Sequence, residues 1–273
     1  MPVIRLLISM VLVVLAGTAM ADRASGLQVM MTGAQAKGWD AVGRISFAGK
    51  SFCTGALIAP DLVLTAAHCL YDIDTGKQVP VESIQFQAAF RNGRATAELP
   101  VRTAVIHPEF RFTHDDRVLR VTRDLALLRL TRPVRSATVL PFGIGDSPKR
   151  GEKVDVVSYA QDRATSPALQ ESCRVVARQS GVLVMDCDVD FGSSGAPVFM
   201  IHQGRAQIVS VVSAKAMMRD KQVALGSTLA ASISELHALL RSADAQVFTD
   251  VQPLANRIAP TGAPEAGAKF ERP

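Results

Sequence analysis

Short apolar runs dominate the chain, and glycine, proline, aspartate or asparagine separates one run from the next. The runs are rich in valine and isoleucine, and each has the length of one β-strand. They occupy residues 41–47, 54–60, 61–67, 84–90, 101–107, 125–130, 153–159, 173–179, 181–187, 196–200, 206–213 and 223–230. Many short strands at near-regular spacing predict an all-β fold, either a barrel or a sandwich.

Two turn signals and one helical pattern complete the set of predicted elements. Asn92-Gly93 and Ser180-Gly181 each stand between apolar runs and predict β-hairpins. Residues 232–242 place Ile233, Leu236, Leu239 and Leu240 at helical spacing, which predicts a C-terminal helix. Ser232 and Glu235 have the spacing of a capping box at its start.

The chain divides near its middle. Residues 132–152 contain three prolines and three glycines and have little periodicity, so they predict a connection between two β units of similar size. We therefore predict a leader (1–21), an N-terminal segment with the first unit (22–145), a second unit with the helix (146–243) and a disordered tail (244–273).

The first 21 residues have the pattern of a signal peptide. Arg5 precedes an apolar run from Leu6 to Ala16, and Ala19-Met20-Ala21 places small residues where a signal peptidase cuts. The alternative is an uncleaved anchor, although the run is short for a membrane span. We expect a secreted or periplasmic protein with no stable membrane association after cleavage.

Composition and charge limit the classes of core and of binding partner that we expect. The 273 residues are 48% hydrophobic and only 5% aromatic, so the cores must be aliphatic. The formal net charge of +5 comes from arginines that alternate with apolar positions, and no nucleic-acid motif is present. We expect a monomer and no nucleic-acid partner.

All four cysteines lie after the leader, and an even number in an oxidising compartment favours disulfides. Three pairings are possible. Local pairing gives Cys53–Cys69 and Cys173–Cys187, each closing a loop of about 15 residues and contributing ~3 kcal/mol in the chain-entropy model. A four-cysteine metal site is the alternative, but the chain has no C-x-x-C pair. We expect no metal and no cofactor.

Candidate groups for nucleophilic serine chemistry stand at the ends of three of the apolar runs. Such chemistry needs a base for the hydroxyl proton, a group that orients the base, and backbone donors for the oxyanion. "LTAAHCL" supplies His68 beside a cysteine, and "TRDLALLRL" supplies Asp124 at the head of a strand. We prefer Asp124 over Asp115 and Asp116, which stand in a polar stretch that predicts a solvated loop.

"FGSSGAP" supplies the nucleophile. Gly192 and Gly195 flank Ser193 and Ser194 and allow the backbone to turn sharply. We predict Ser194 as the nucleophile, with Ser193 as the alternative. The order His…Asp…Ser is the chymotrypsin order and differs from that of the α/β-hydrolases and the subtilisins.

These motifs resemble those of trypsin-like serine proteases over roughly residues 38–240. "CTGALIAPDLVLTAAHCL" resembles the histidine region, including its cysteine pair, and "VIHPEF" resembles the segment that follows it. "RDLALLRL" resembles the aspartate motif, "CDVDFGSSGAPVF" the serine motif and "IVSVVSA" the substrate-binding strand. The resemblance is strongest to secreted bacterial trypsin-like and glutamyl-endopeptidase-like members.

The resemblance implies two perpendicular six-stranded antiparallel β-barrels with the active site between them. His68 and Asp124 would come from the first barrel and Ser194 from the second. The N–H groups of Gly192 and Ser194 would form the oxyanion hole. The implied activity is that of a serine endopeptidase that binds a protein or peptide substrate and works through an acyl-enzyme intermediate.

The resemblance also suggests substrate-binding residues and shows two departures. Ser213 matches the position that supports the aspartate, and Asp188 matches the acidic residue at the base of trypsin's specificity pocket. Ser193 stands where animal trypsins have an aspartate that pairs with a newly cut N-terminus, so we infer no such activation latch. Ala214-Lys215 replaces an aromatic residue and a glycine, and Lys215 is expected to narrow the cleft or alter preference.

Two other functions fit the same pattern. One is a binding protein with a protease-like fold and no turnover, although no triad member is missing. The other is a processing enzyme of narrow specificity, which an active-site inhibitor would label although generic peptides are not cut.

Overall fold

The computed structural model describes residues 26–113, 116–229 and 232–242. The predicted leader (1–21) and the predicted tail (244–273) lie outside the described residues.

The described part of the chain is built from fourteen strands and two α-helices. The strands are β1 Leu27–Val29, β2 Val42–Phe47, β3 Ser51–Ala59, β4 Leu62–Thr65, β5 Ile84–Ala88, β6 Ala97–Ile106, β7 Ala126–Leu130, β8 Gly143–Ile144, β9 Lys153–Ser158, β10 Ala168–Gln179, β11 Val182–Met185, β12 Pro197–His202, β13 Arg205–Met218 and β14 Lys221–Thr228. The helices are α1 Arg117–Thr122 and α2 Ser232–Arg241.

Six strands close the first barrel, in the order β2-β3-β4-β7-β6-β5. All six pairings are antiparallel. Aliphatic side chains fill the interior, together with the fully buried ring of Phe86. His68 follows the end of β4, and Asp124 precedes the start of β7. These two strand ends therefore position the candidate catalytic residues of the first barrel.

The second barrel closes in the order β9-β10-β11-β14-β13-β12, and these six pairings are also antiparallel. The all-β prediction with two six-stranded barrels is confirmed. Two short strands add to it: β1 pairs with β10, and β8 runs parallel to β13. The N-terminal segment around β1 therefore attaches to the second barrel.

Tyr159 ties the two barrels together. Its side chain is fully buried, and its hydroxyl donates a hydrogen bond of 2.8 Å to the Phe90 carbonyl of the first barrel's β5–β6 connection. Burial raises the pKa of the Tyr159 phenol, so it stays a protonated donor.

Of the two α-helices, one was predicted from the sequence and the other was not. The C-terminal helix is confirmed as α2, which packs against β6 and β7 through buried Ile233 and Leu236. Asp116, which was predicted to lie in a solvated loop, is the residue at which a helix starts, and Asp115 lies outside the described residues. Asp116 Oδ1 accepts hydrogen bonds from the amides of Val118 and Leu119 and so caps α1. No helix in the described ranges is long and apolar enough to cross a membrane.

Candidate active site

His68 lies on a short 3₁₀ turn, residues 67–70, that follows β4. The Cys53–Cys69 disulfide joins this turn to β3, so the residue next to the imidazole is covalently fixed to the barrel. Cys53, His68 and Cys69 are the one group within the described ranges whose spacing would suit a metal ion. Both sulfurs are in the disulfide, so neither is available as a thiolate ligand.

Asp124 stands two residues before β7 and receives three hydrogen bonds. Its carboxylate is buried, with the residue only 2% exposed. Oδ1 accepts the backbone N–H of His68 at 2.8 Å, and Oδ2 accepts the His68 Nδ1–H at 2.6 Å and the Ser213 hydroxyl at 2.5 Å. These donors satisfy the buried carboxylate. They also fix the proton of neutral His68 on Nδ1, which leaves Nε2 free to accept a proton.

The environment of His68 raises the pKa of its imidazole. Burial acts most strongly and lowers the pKa, but the negative charge of Asp124 and its hydrogen bond to Nδ1 together outweigh burial. The imidazolium is therefore favoured relative to a free histidine. This is the property required of a base that must hold a proton during a reaction.

The raised pKa of His68 predicts the pH dependence of turnover. A general base acts in its neutral form, so kcat/KM should rise as pH increases through the pKa of His68 in the free enzyme. The midpoint should lie above 6.5, the ordinary value for histidine. A pH profile of kcat/KM on a peptide whose own groups do not titrate in that range measures it. A midpoint below 6.5 would contradict the assigned balance between burial and the Asp124 charge.

The two candidate serines have different environments in the serine loop, which we define as residues 190–195. Ser193 is fully buried, and its hydroxyl donates toward Ser158 Oγ at 3.3 Å and the Tyr159 carbonyl at 3.4 Å. The hydroxyl of Ser194 has no hydrogen-bond partner among the described residues. Ser194 is 6% exposed, so its free hydroxyl is the better candidate for attack on a substrate.

Gly192 and Gly195 are required by the backbone of the serine loop. Their φ angles are +92° and +78°, in the region that favours glycine. A Cβ atom on Gly195 would overlap Thr65 Oγ1 and the Thr54 carbonyl, and one on Gly192 would overlap the Phe52 ring. Any larger residue at either position would have to move the loop away from the first barrel.

Two backbone donors in the serine loop are available to a substrate. Among the described residues, neither the Gly192 amide nor the Ser194 amide has a hydrogen-bond acceptor. The amides of Ser193, Gly195 and Ala196 are bonded, to the carbonyls of Asp190, Val212 and Ser193 respectively. A pair of unbonded N–H groups on both sides of Ser193 is the donor set that a tetrahedral oxyanion needs.

The predicted substrate-binding residues fall in different places. Ser213 lies at an irregularity in the β13–β14 pairing and contacts Asp124. Lys215, two residues further on β13, extends its ammonium to Asp190 Oδ1 at 3.2 Å and lies 5.1 Å from the Phe191 ring centroid. Asp188 is exposed at the surface, and its amide donates to Gln170 Oε1.

The Cys173–Cys187 disulfide fixes the segment that leads into the serine loop. It joins β10 to the residue three positions before Asp190. From the other side, Lys215 on β13 contacts Asp190. The charge of Lys215 is therefore already paired, and its side chain links β13 to the serine loop.

Sequence reasoning did not identify Thr54 as part of the site. Its amide donates to the Ser194 carbonyl at 2.9 Å, and its hydroxyl donates to the Gly192 carbonyl at 2.8 Å. Thr54 lies in the first barrel and is fully buried. No local signal marks it, because its partners are about 140 residues away along the chain.

The chain is similar to known serine proteases over most of the two barrels. The family model described as Trypsin matches residues 29–231. The sequence is 37% identical over 94 residues to Modular serine protease of Drosophila melanogaster, covering 32% of this chain and 14% of that protein. It is 27% identical over 149 residues to Glutamyl endopeptidase of Bacillus licheniformis, covering 54% of this chain and 45% of that protein.

Serine protease 56 of Homo sapiens is 33% identical over 117 residues, covering 43% of this chain and 18% of that protein. In all three relatives the chain spans less than half of the protein's length. Among solved structures, "Structure of Glu endopeptidase in complex with MPD" superposes with a TM-score of 0.64 at 18% identity, covering 79% of this chain and 96% of that chain. That likeness shows the same fold.

Proposed function

Because this chain belongs to the trypsin family, we propose that it is a serine endopeptidase whose catalytic residues are His68, Asp124 and Ser194. The observation that carries the proposal is the buried Asp124 carboxylate, which binds His68 Nδ1 at 2.6 Å while the Ser194 hydroxyl stays unbonded. An orienting carboxylate, an oriented imidazole and a free hydroxyl are the three parts that acyl transfer requires.

The reaction follows from these groups in two halves. Ser194 Oγ attacks the scissile carbonyl carbon while His68 Nε2 takes the hydroxyl proton, and the amides of Gly192 and Ser194 bind the resulting oxyanion. The imidazolium, stabilised by Asp124, then gives its proton to the leaving amine as the C–N bond breaks. A water molecule then loses a proton to His68 and attacks the acyl carbon. As the bond from that carbon to Ser194 Oγ breaks, His68 returns the proton to Oγ and the carboxylic acid product leaves.

We propose that the protein works in an oxidising compartment outside the cytoplasm, either secreted or periplasmic. Support comes from the two disulfides in the described part and from the signal-like sequence of residues 1–21. We also propose that activity requires no ion pair between residue 193 and a new N-terminus, since the Ser193 hydroxyl bonds to Ser158 and Tyr159 instead.

The test is labelling with a fluorophosphonate probe, followed by a peptide panel. The full chain, expressed with export and oxidation, should take up one equivalent of probe, and mass spectrometry should map the adduct to Ser194. The panel varies the residue before the cleaved bond, including glutamate, because two of the similar proteins are named glutamyl endopeptidases. A properly folded and oxidised chain that neither binds the probe nor cuts any peptide would favour a binding protein instead.

A further inference from the structure

The peptide bond between Phe191 and Gly192 carries one of the two oxyanion donors, and a contact outside the serine loop fixes its direction. The Phe191 carbonyl accepts a hydrogen bond of 2.7 Å from the Gln161 amide. In a planar trans peptide the carbonyl and the N–H point in opposite directions. The Gln161 contact therefore holds the Gly192 N–H facing away from Gln161, where it is left unbonded for a substrate.

Gln161 owes its position to a short turn. Residues Gln161–Arg163 form a single 3₁₀ turn between β9 and β10, closed by the Arg163 amide donating to the Ala160 carbonyl. Such a turn has little stability of its own. Its geometry must be held by side-chain contacts, and within the described residues Arg163 supplies one of them to the barrel.

The Arg163 side chain is buried behind the serine loop. Only 9% of it is exposed, and its Nη2 donates to Ser158 Oγ at 3.3 Å. The same Ser158 oxygen accepts the Ser193 hydroxyl at 3.3 Å. Through one shared acceptor the guanidinium is thus linked to the residue between the two oxyanion donors.

The remaining contacts of Arg163 do not account for its burial. Within the described part of the chain its one carboxylate partner is Asp162, which binds Nη1 at 2.9 Å. The Asp162 side chain is 68% exposed, so this ion pair contributes little. Its Nε is buried and has no hydrogen-bond partner among the described residues. Burying a cation with so little compensation is unfavourable for folding. Such locally unfavourable arrangements tend to occur at functional sites.

We propose that Arg163 is a positioning residue for the oxyanion hole. The inference rests on the proposed function and extends it. Arg163 acts from behind the site: it holds the Gln161–Arg163 turn, which orients the Phe191–Gly192 peptide, and it holds Ser193 through Ser158. A buried cation within the second barrel thereby has the role that an ion pair with the N-terminus has in animal trypsins.

The test compares Arg163→Met, Arg163→Lys and Ser193→Ala with Asp162→Asn as the matched control. Asp162→Asn removes the negative charge of the exposed partner of Arg163 and leaves the hydrogen bond from Arg163 to Ser158 intact. For each variant we measure kcat per titrated active site, KM, and the affinity for a peptide aldehyde. The aldehyde forms a tetrahedral adduct with its oxygen in the oxyanion hole, whereas KM mainly reports binding of the unreacted peptide.

Arg163→Met should lower kcat roughly 10- to 100-fold and lower the affinity for the peptide aldehyde by a similar factor. KM should change by less than about twofold. This loss is smaller than the 10²–10³ expected for deleting an oxyanion donor, because the donor is misdirected and not removed. Ser193→Ala should give a smaller loss of the same kind. Arg163→Lys should recover part of the loss, and Asp162→Asn should match the wild type.

A purely structural role for Arg163 predicts a lower melting temperature and fewer titratable sites, with unchanged kcat per site and unchanged aldehyde affinity. That result would overturn the inference while the proposed function stands. If Arg163→Met does not fold, Ser193→Ala decides: unchanged kcat and aldehyde affinity would overturn it. If the wild type neither labels nor cuts peptides, the proposed function fails and the inference falls with it.

Discussion

Replacing Ser194 with alanine should lower kcat for peptide hydrolysis by a factor of about 10⁵–10⁶. The hydroxyl of Ser194 is the unbonded hydroxyl of the serine loop, and its removal leaves no atom to form the acyl-enzyme. The residual rate should reflect the backbone donors and substrate binding alone. Covalent uptake of the fluorophosphonate probe should be lost completely, which mass spectrometry of the intact protein measures.

The matched control for this substitution is Ser242→Ala, at the exposed end of α2. It should retain the wild-type rate and full labelling. Fold integrity of Ser194→Ala is checked by its melting temperature, which should change little because the lost hydroxyl has no partner among the described residues. Labelling or turnover that survives in Ser194→Ala would refute the assignment of the nucleophile, and Ser193 would be the next candidate.

Replacing Asp124 with asparagine should lower kcat by about 10³–10⁴. An asparagine amide in this place donates to His68 Nδ1, so the imidazole carries its proton on Nε2 and offers Ser194 a donor instead of an acceptor. The midpoint of the kcat/KM pH profile should also move downward, because the charge that raises the pKa of His68 is gone. Steady-state kinetics across pH on the variant measures both effects.

Asp61→Asn is a suitable control, since Asp61 lies in the same barrel and forms a part-exposed ion pair with Arg129. It should change neither kcat nor the pH midpoint. An Asp124→Asn variant with a wild-type rate would show that another group orients His68. A variant with a lowered rate but an unmoved midpoint would show that the Asp124 charge does not set the pKa of His68.

The strands were the most predictable part of the fold. All twelve apolar runs correspond to barrel strands, because each strand has one face against an aliphatic core and carries that requirement in its own sequence. The pairings of β1 with β10 and of β8 with β13 were not predicted, since both strands are too short to show a period. Helix α1 was missed because it is only six residues long and buries only Val121, which is too little to show a helical period.

The candidate site likewise has a part that the sequence predicts and a part that it does not. His68, Asp124 and Ser194 stand in local motifs whose residue types carry the chemistry themselves. The contacts that support them join distant parts of the chain, such as Lys215 with Asp190 and Thr54 with Gly192. The sequence does not distinguish a lysine or a threonine in solvent from one that contacts the serine loop, so only the three-dimensional arrangement reveals these partners.

The position of Thr54 has a consequence for when the protein becomes active. The loop that carries Ser194 belongs to the second barrel, but its Gly192 and Ser194 carbonyls are held by a residue of the first. A chain in which each barrel has folded but the two have not yet docked therefore has its serine without an ordered oxyanion hole. The proposed peptidase activity should therefore emerge only at the docking step and not when either barrel folds.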